Sequence, residues 1–382
     1  MNKICVVIVL LFLNSYYAQN KRIRENIPSN YLQKDVEVII ELPASYEKNT
    51  KRLYPWILLL EGDYFMDIFS GNLSYGNYWD LYPESILVGI THANAEERQQ
   101  AFDFNQETGA PLETSTKFYN FLRKELLPNL NKSFRLINFN MIAGFDYSAG
   151  FMNNFMYQET NLFSGYISIS PELEAQAYDR VRNSLKDYKN QNLFYYLASS
   201  TGDNQIIREN TQRINDSIAY IDNENIKKKY DLFEGYSHYA IPPSAVPNAL
   251  NFIYETYAPI SKNEYDTKIK KLDSLQVNYL VEKYQKIEKL FGMKKSVRIT
   301  DVYAMEDIII LKKNYNEFQN LANFVKIHFP KTLLEKYFIG LMYEKKDLKI
   351  EALKSYKSAY PKEEVGKYTR DMIYEKIEAM RE

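Results

Sequence analysis

Between a buried apolar run and a helical pattern the chain reads Gly144-Phe145-Asp146-Tyr147-Ser148-Ala149-Gly150. These residue types suit a strand-turn-helix elbow, the device that lifts a nucleophilic side chain clear of a sheet. Such a turn needs small residues two before and two after its tip, because the two backbones pack closely there. Around Asp146 those are Gly144 and Ser148, both acceptable. Around Ser148 they are Asp146 and Gly150, and Asp146 fits poorly. Asp146 is therefore expected at the tip, with Ser148 as the alternative nucleophile. The two offer different chemistry. A serine hydroxyl attacks an ester once a base takes its proton. A carboxylate attacking the same carbonyl forms an anhydride and expels an alkoxide, which is uphill, although it attacks saturated carbon well.

A base and an acid have few candidates. The chain has three histidines, His92, His238 and His328, and a lone histidine is usually structural. His238 lies in FEGYSHY, while His328 sits beside Pro330 in charged helical sequence. Gly202-Asp203-Asn204 follows an apolar run and reads either as ordinary turn chemistry or as a positioned acid.

The elements that must position these residues alternate along the chain. DVEVIIEL (35–42) alternates like a half-buried strand, and YPWILLLEGD (54–63) and SILVGITHAN (85–94) are continuous apolar runs suited to strands buried on both faces. FNMIAGFD (139–146), LFSGYISISP (162–171) and NLFYYLASS (192–200) repeat that form. Phe118, Phe121, Leu122, Glu125 and Leu126 follow helical spacing, with Pro128 just past them, and a further helix covers 248–260. Strands alternating with helices predict an α/β fold with a mostly parallel sheet. From about 261 the sequence turns charged and strongly helical. There Ile339-Gly340, Tyr343, Ala352, Tyr356 and Ala359 fall at the offsets of one tetratricopeptide repeat. The reading is a helical linker over 261–299 and a tetratricopeptide-like all-α domain over 300–382, with a generic helical bundle as the alternative.

The first eighteen residues carry one lysine, an apolar run and a small-residue end at Ala18, the pattern of a cleaved secretory leader. Residues 19–260 then form the α/β domain, in a protein expected in the periplasm or outside the cell with no membrane span once matured. The single cysteine, Cys5, lies in the leader, so the mature chain is expected to have no disulfide or thiolate metal site. With 48 basic and 49 acidic residues the net charge is −1, which argues against a nucleic-acid partner. No metal-ligand spacing or phosphate-binding glycine loop is legible, and no cofactor is expected.

From ELPASY (41–46) through YPWILLLEGD, LVGI (87–90), FLRKELLPNLNKSFR (121–135), MIAGFDYSAG (141–150) and LFSGYISISPEL (162–173) to FEGYSHY (233–239), the chain resembles the putative esterases of the α/β-hydrolase superfamily. That group includes esterase D and the enterochelin esterases. Its elbow reads Gly-His-Ser-x-Gly-Gly, with a phenylalanine seventeen residues after the serine. Phe163 lies seventeen residues after Asp146, so the resemblance maps the nucleophile to Asp146 and the preceding histidine to Phe145. It also implies His238 as the catalytic histidine and Asp203 as the acid. The oxyanion donors would be the backbone N–H of Tyr147 and one from the Gly62-Asp63-Tyr64 turn.

Three functions stay open on this reading. One is a secreted carboxylic-ester hydrolase with an altered nucleophile, acting on a small ester. Another is a non-catalytic hydrolase-fold binding protein, in which Asp146 and His238 form an ion-paired pocket floor and the C-terminal helices offer a protein-contact surface. The third is an aspartate-nucleophile hydrolase acting on saturated carbon, whose relatives normally carry a cap domain that no segment here is long enough to supply.

Overall fold

The computed structural model describes residues 20–105, 107–158, 162–174, 176–189 and 192–381; the expected leader lies outside them. Eight strands, β1 (Lys21–Ser29), β2 (Lys34–Leu42), β3 (Tyr54–Leu59), β4 (Ile86–Ile90), β5 (Leu136–Phe145), β6 (Gly165–Ile169), β7 (Leu193–Gly202) and β8 (Ile226–Ser237), form one sheet in the order β1-β2-β4-β3-β5-β6-β7-β8. The β1–β2 and β2–β4 pairs are antiparallel and all the others parallel. The strand order reverses at β3, which lies between β4 and β5, so the carboxyl ends of β3 and β5 flank a switch point where such sheets bind ligands.

Among the described residues the first ten helices are α1 (Gly62–Tyr78), α2 (Ala95–Phe102), α3 (Glu113–Asn120), α4 (Leu127–Ser133), α5 (Tyr147–Phe151), α6 (Asn153–Gln158), α7 (Ala177–Lys186), α8 (Gln205–Ala219), α9 (Pro242–Ile253) and α10 (Lys262–Thr267). Helices α2 to α8 bury residues such as Phe102, Phe118, Phe151, Val181 and Ile214 on one face of the sheet. Helices α1 and α9 bury Phe65, Phe69, Ala245 and Leu250 on the other. Helix α3 runs into α4 through a π turn, Phe121–Leu126, so Pro128 sits inside a continuous helical stretch instead of ending it. The wider turn, with the Leu127 amide bonded back to the Leu122 carbonyl, seats the proline at the start of α4.

The rest of the chain is helical: α11 (Gln276–Phe291), α12 (Ile299–Lys312), α13 (Glu317–His328), α14 (Leu334–Lys345), α15 (Lys349–Ala359) and α16 (Arg370–Ala379). Its core is continuous with that under the sheet. The stretch read as a linker is packed. Phe291 of α11 lies 4.9 Å from Phe139 and 5.5 Å from Tyr254, ring centre to ring centre. Nearby, Asp80 accepts hydrogen bonds from Lys295 (2.6 Å) and Arg298 (2.5 Å). The charges of this stretch are partly built into the packing, with the buried Lys283 of α11 donating to Glu264 (3.0 and 3.1 Å). In the last helices two of the residues at those offsets, Gly340 and Tyr356, meet. A Cβ on Gly340 would lie 2.6 Å from the Tyr356 ring, so glycine lets α14 and α15 close on each other. The buried Glu306 accepts from Tyr337 (2.7 Å) and Tyr368 (2.9 Å), joining three parts of this region. Among the described residues no helix is long and apolar enough to cross a membrane.

Phe291→Ala should cost about 3–5 kcal/mol, the range for deleting a buried aromatic ring, and should shift one cooperative denaturant transition. A loss under about 1 kcal/mol would show that α11 is not part of the sheet's core.

Candidate active site

The chain leaves β5 at Phe145 and enters α5 at Tyr147, with Asp146 between them at φ 61° and ψ −123°. A side chain rarely adopts that backbone, and it persists only where the surroundings over-determine it. Here they do. The Asp146 amide donates to the Ile169 carbonyl (3.1 Å), and its own carbonyl accepts from Ala149 (3.1 Å) and Glu172 (3.0 Å). A Cβ on Gly144 would lie 2.6 Å from the Ala149 nitrogen, and one on Gly150 would lie 1.8 Å from the Glu172 carbonyl oxygen. Both glycines are therefore required by close approach.

Ser148, the alternative nucleophile, has another task. It is fully buried, and its hydroxyl donates to the Phe145 carbonyl (2.9 Å) while accepting from the Phe145 amide (3.0 Å). It staples the turn shut and has no free face toward a ligand, so Asp146 alone occupies the tip.

The other two residues come from the far side of the sheet. Asn204 takes the capping duty at the start of α8, accepting from the Ile207 amide, which leaves the buried Asp203 free to turn inward. One Asp203 oxygen accepts from the Ser200 amide (2.8 Å) and the Ser170 hydroxyl (2.9 Å). The other lies 2.7 Å from Nδ1 of His238, the first residue after β8. Burial works to raise the Asp203 carboxyl, but the hydrogen bonds from His238, Ser200 and Ser170 outweigh it and hold it below the ordinary carboxylate range. Because that carboxylate accepts at Nδ1, the imidazole presents Nε2 toward the elbow, 3.9 Å from Asp146 Oδ1. Phe145 lies against the same ring, 4.5 Å between centres, and fixes its plane.

A residue that sequence reading missed completes the group. Arg98 of α2 places Nη2 3.7 Å from Asp146 Oδ2 while its Nε and Nη2 pair with the buried Glu61 at 2.8–2.9 Å. The only signal for it is Glu61 itself, a charged residue closing an apolar run, which demands a partner when buried. Burial raises the Asp146 carboxyl above its ordinary range, against the opposing pull of His238, Arg98 and the Tyr147 amide. Burial raises Glu172 too, and the charge on Asp146 adds to the effect.

The expected oxyanion donors flank this group. The amides of Gly62, Asp63 and Tyr64 open α1 at the end of β3, where helical geometry leaves them without intrahelical partners. The Asp63 carboxylate accepts from the His92 amide (3.1 Å), pinning that turn, and Tyr64 packs edge-on to Phe145. The Tyr147 amide faces the Asp146 carboxylate and favours its charged form. The other histidines are structural. His92 contacts the Leu60 carbonyl at 3.1 Å among Phe102 and Phe118, and His328 packs on Phe324. Among the described residues no cluster of His, Cys, Asp and Glu is arranged to hold a metal.

A family model described as "Putative esterase" matches residues 29–241. The chain belongs to this esterase family. Curated protein sequences give no match. Among solved structures, an uncharacterised protein from Capnocytophaga ochracea DSM 7271 is 24% identical with a TM-score of 0.81, covering 94% of this chain and 99% of that one. An IroE-like serine hydrolase from Shewanella oneidensis is 15% identical with a TM-score of 0.57, covering 81% and 99%. The BES protein from Bacillus cereus is 16% identical with a TM-score of 0.52, covering 66% and 97%. These likenesses show the fold. The first spans nearly the whole chain, so the arrangement of esterase domain and C-terminal helices recurs in that protein.

The two carboxyls of this esterase-family site bias stability in opposite directions. Asp203, held low, contributes stability above the unfolded value of about 3.9 that is lost as pH falls through its lower folded value. Asp146, held high, favours folding only below that unfolded value, and the contribution is lost as pH rises through its higher folded value. Asp146→Asn should therefore gain stability relative to wild type at pH 7, with the difference vanishing below about pH 4. Equal stability at both pH values in denaturant titrations would contradict this electrostatic account.

Proposed function

We propose that this esterase-family protein keeps the binding framework for ester-like ligands but has lost acyl transfer, because a charge-paired carboxylate stands where the nucleophile belongs. The observation that carries the reading is Asp146 at the elbow tip, between His238 Nε2 at 3.9 Å and Arg98 Nη2 at 3.7 Å. A serine there would give its proton to Nε2 as it attacked, with Asp203 holding the imidazole. An ionised Asp146 has no proton to give. Its attack on an ester would form an anhydride and expel a far more basic alkoxide. Arg98 lowers its nucleophilicity further by sharing its charge. The pair Asp203–His238 still aims at the tip, so the defect is confined to one side chain.

The remaining parts fit the same reading. The pattern in residues 1–18 supports export, and the C-terminal helices supply a surface on which a protein partner would sit. One further chemistry uses the same atoms: a carboxylate beside an oriented histidine attacks saturated carbon, and a covalent alkyl ester on Asp146 after incubation with an epoxide or alkyl halide would establish it in place of the binding role.

The deciding comparison is a panel of activated aryl esters on wild type and Asp146→Ser side by side. Wild type should be weak and the variant faster by at least about 100-fold, the scale contributed by a positioned general base. Strong wild-type turnover abolished by Asp146→Ala or Ser148→Ala would overturn the proposal.

A further inference from the structure

At the end of α1 away from the elbow, the helix stands off from β1 and β2 and leaves a cleft of about 590 Å3, within the size range of small-molecule sites. The helix face that borders it consists of Ser70, Leu73, Ser74, Asn77 and Tyr78, spaced i, i+3, i+4, i+7 and i+8. It runs beside the stripe of Phe65, Met66, Phe69, Leu73 and Gly76 that the helix buries. Of the five only Leu73 is aliphatic, and across the cleft Ser70 donates to Glu41 (2.6 Å) while Ser74 accepts from Asn20 (3.3 Å).

The charges around this cleft are already neutralised. Glu41 is buried and accepts from Arg22 (2.8 and 3.0 Å), Asn20 (2.8 Å) and Ser70 (2.6 Å). Glu84 is paired with Arg52 (2.5 Å) and Ser45 (2.6 Å). A charged ligand would have to break one of these pairs, at the cost of leaving a carboxylate or guanidinium without its partner. Ser74 and Asn77 keep hydrogen-bonding capacity beyond their bonds with Asn20 (3.3 Å) and the Tyr82 carbonyl (3.4 Å), and an apolar ligand would bury that capacity unmet. The cleft therefore suits a neutral ligand rich in hydrogen-bonding groups.

The rim adds a second, independent feature. Tyr78 is 78% exposed, with Trp79 edge-on to it at 5.1 Å and itself 57% exposed, and Tyr75 is 67% exposed one turn earlier. Three large rings held on the surface at one helix end make an apolar platform that water does not favour. Sugars combine both requirements, with hydroxyl edges for a polar cleft and C–H faces for aromatic rings. We propose that this cleft is a carbohydrate-binding site, remote from the elbow, that seats a neutral sugar unit with its ring face on Tyr78.

The test is native affinity electrophoresis of the full chain in gels containing xylan, mixed-linkage β-glucan or mannan, with polygalacturonate as the anionic control. At least one neutral glycan should retard the wild type. Tyr78→Ala, at an exposed position that leaves the fold intact, should weaken retardation about tenfold or more, the scale of one lost ring contact. Ser74→Phe, which fills the cleft, should do the same, and Asp146→Ala should bind as wild type. Four outcomes overturn the proposal: no retardation by any neutral glycan, retardation by polygalacturonate alone, binding that survives Tyr78→Ala, or binding lost with Asp146→Ala. The last would place the sugar in the elbow site and leave the ester-ligand reading standing.

Discussion

The turn at Asp146 is held open by its backbone, and the rest of the site is arranged around that fact. At φ 61° the residue sits where side chains rarely go, and the hydrogen bonds that keep it there run through its amide and carbonyl. The side chain takes no part in them. Gly144, Gly150 and the hydroxyl of Ser148 supply the close packing and the staple. A framework built this way is indifferent to what projects from its tip. On the reading we propose, aspartate stands where a serine nucleophile would, and the chemistry changes while the geometry stays.

What the projecting group meets decides the consequence. His238 is oriented by a buried carboxylate with three donors, as a catalytic histidine requires, and Phe145 holds its ring from beneath. The new negative charge is met by Arg98, anchored from behind by the buried Glu61. Burial nonetheless leaves Asp146 with a raised carboxyl, so the pairing offsets only part of the desolvation. The site is thus electrostatically committed before any ligand arrives, unlike a serine elbow, where charge appears only as the bond forms.

Much of this was legible in the sequence, for reasons that also explain what was not. The runs at Tyr54–Leu59 and Leu136–Phe145 are buried on both faces and announce themselves as continuous apolar strands. The small residues around Asp146 fixed the register of the elbow, and motif order identified Asp203 and His238 as a pair the structure brings to 2.7 Å. Strands β1 and β8 escaped because they form the sheet's edges and carry charged, partly exposed residues. Helix α1 escaped because Gly71 and the polar Ser70, Ser74 and Asn77 beside its buried stripe of Phe65, Met66, Phe69 and Leu73 obscure the period. Arg98 was invisible because its partners, Glu61 and Asp146, are distant in sequence and only the fold brings them within reach.

The central claim is that the site lacks only a proton-bearing nucleophile at one position. Intact-mass analysis after exposure to a fluorophosphonate, which phosphonylates activated serines, tests it most directly. The account predicts no adduct on wild type and a single adduct on Asp146→Ser that is lost when His238 is also changed to alanine. An adduct on wild-type Ser148, or an Asp146→Ser protein that stays unlabelled while folded, would contradict it.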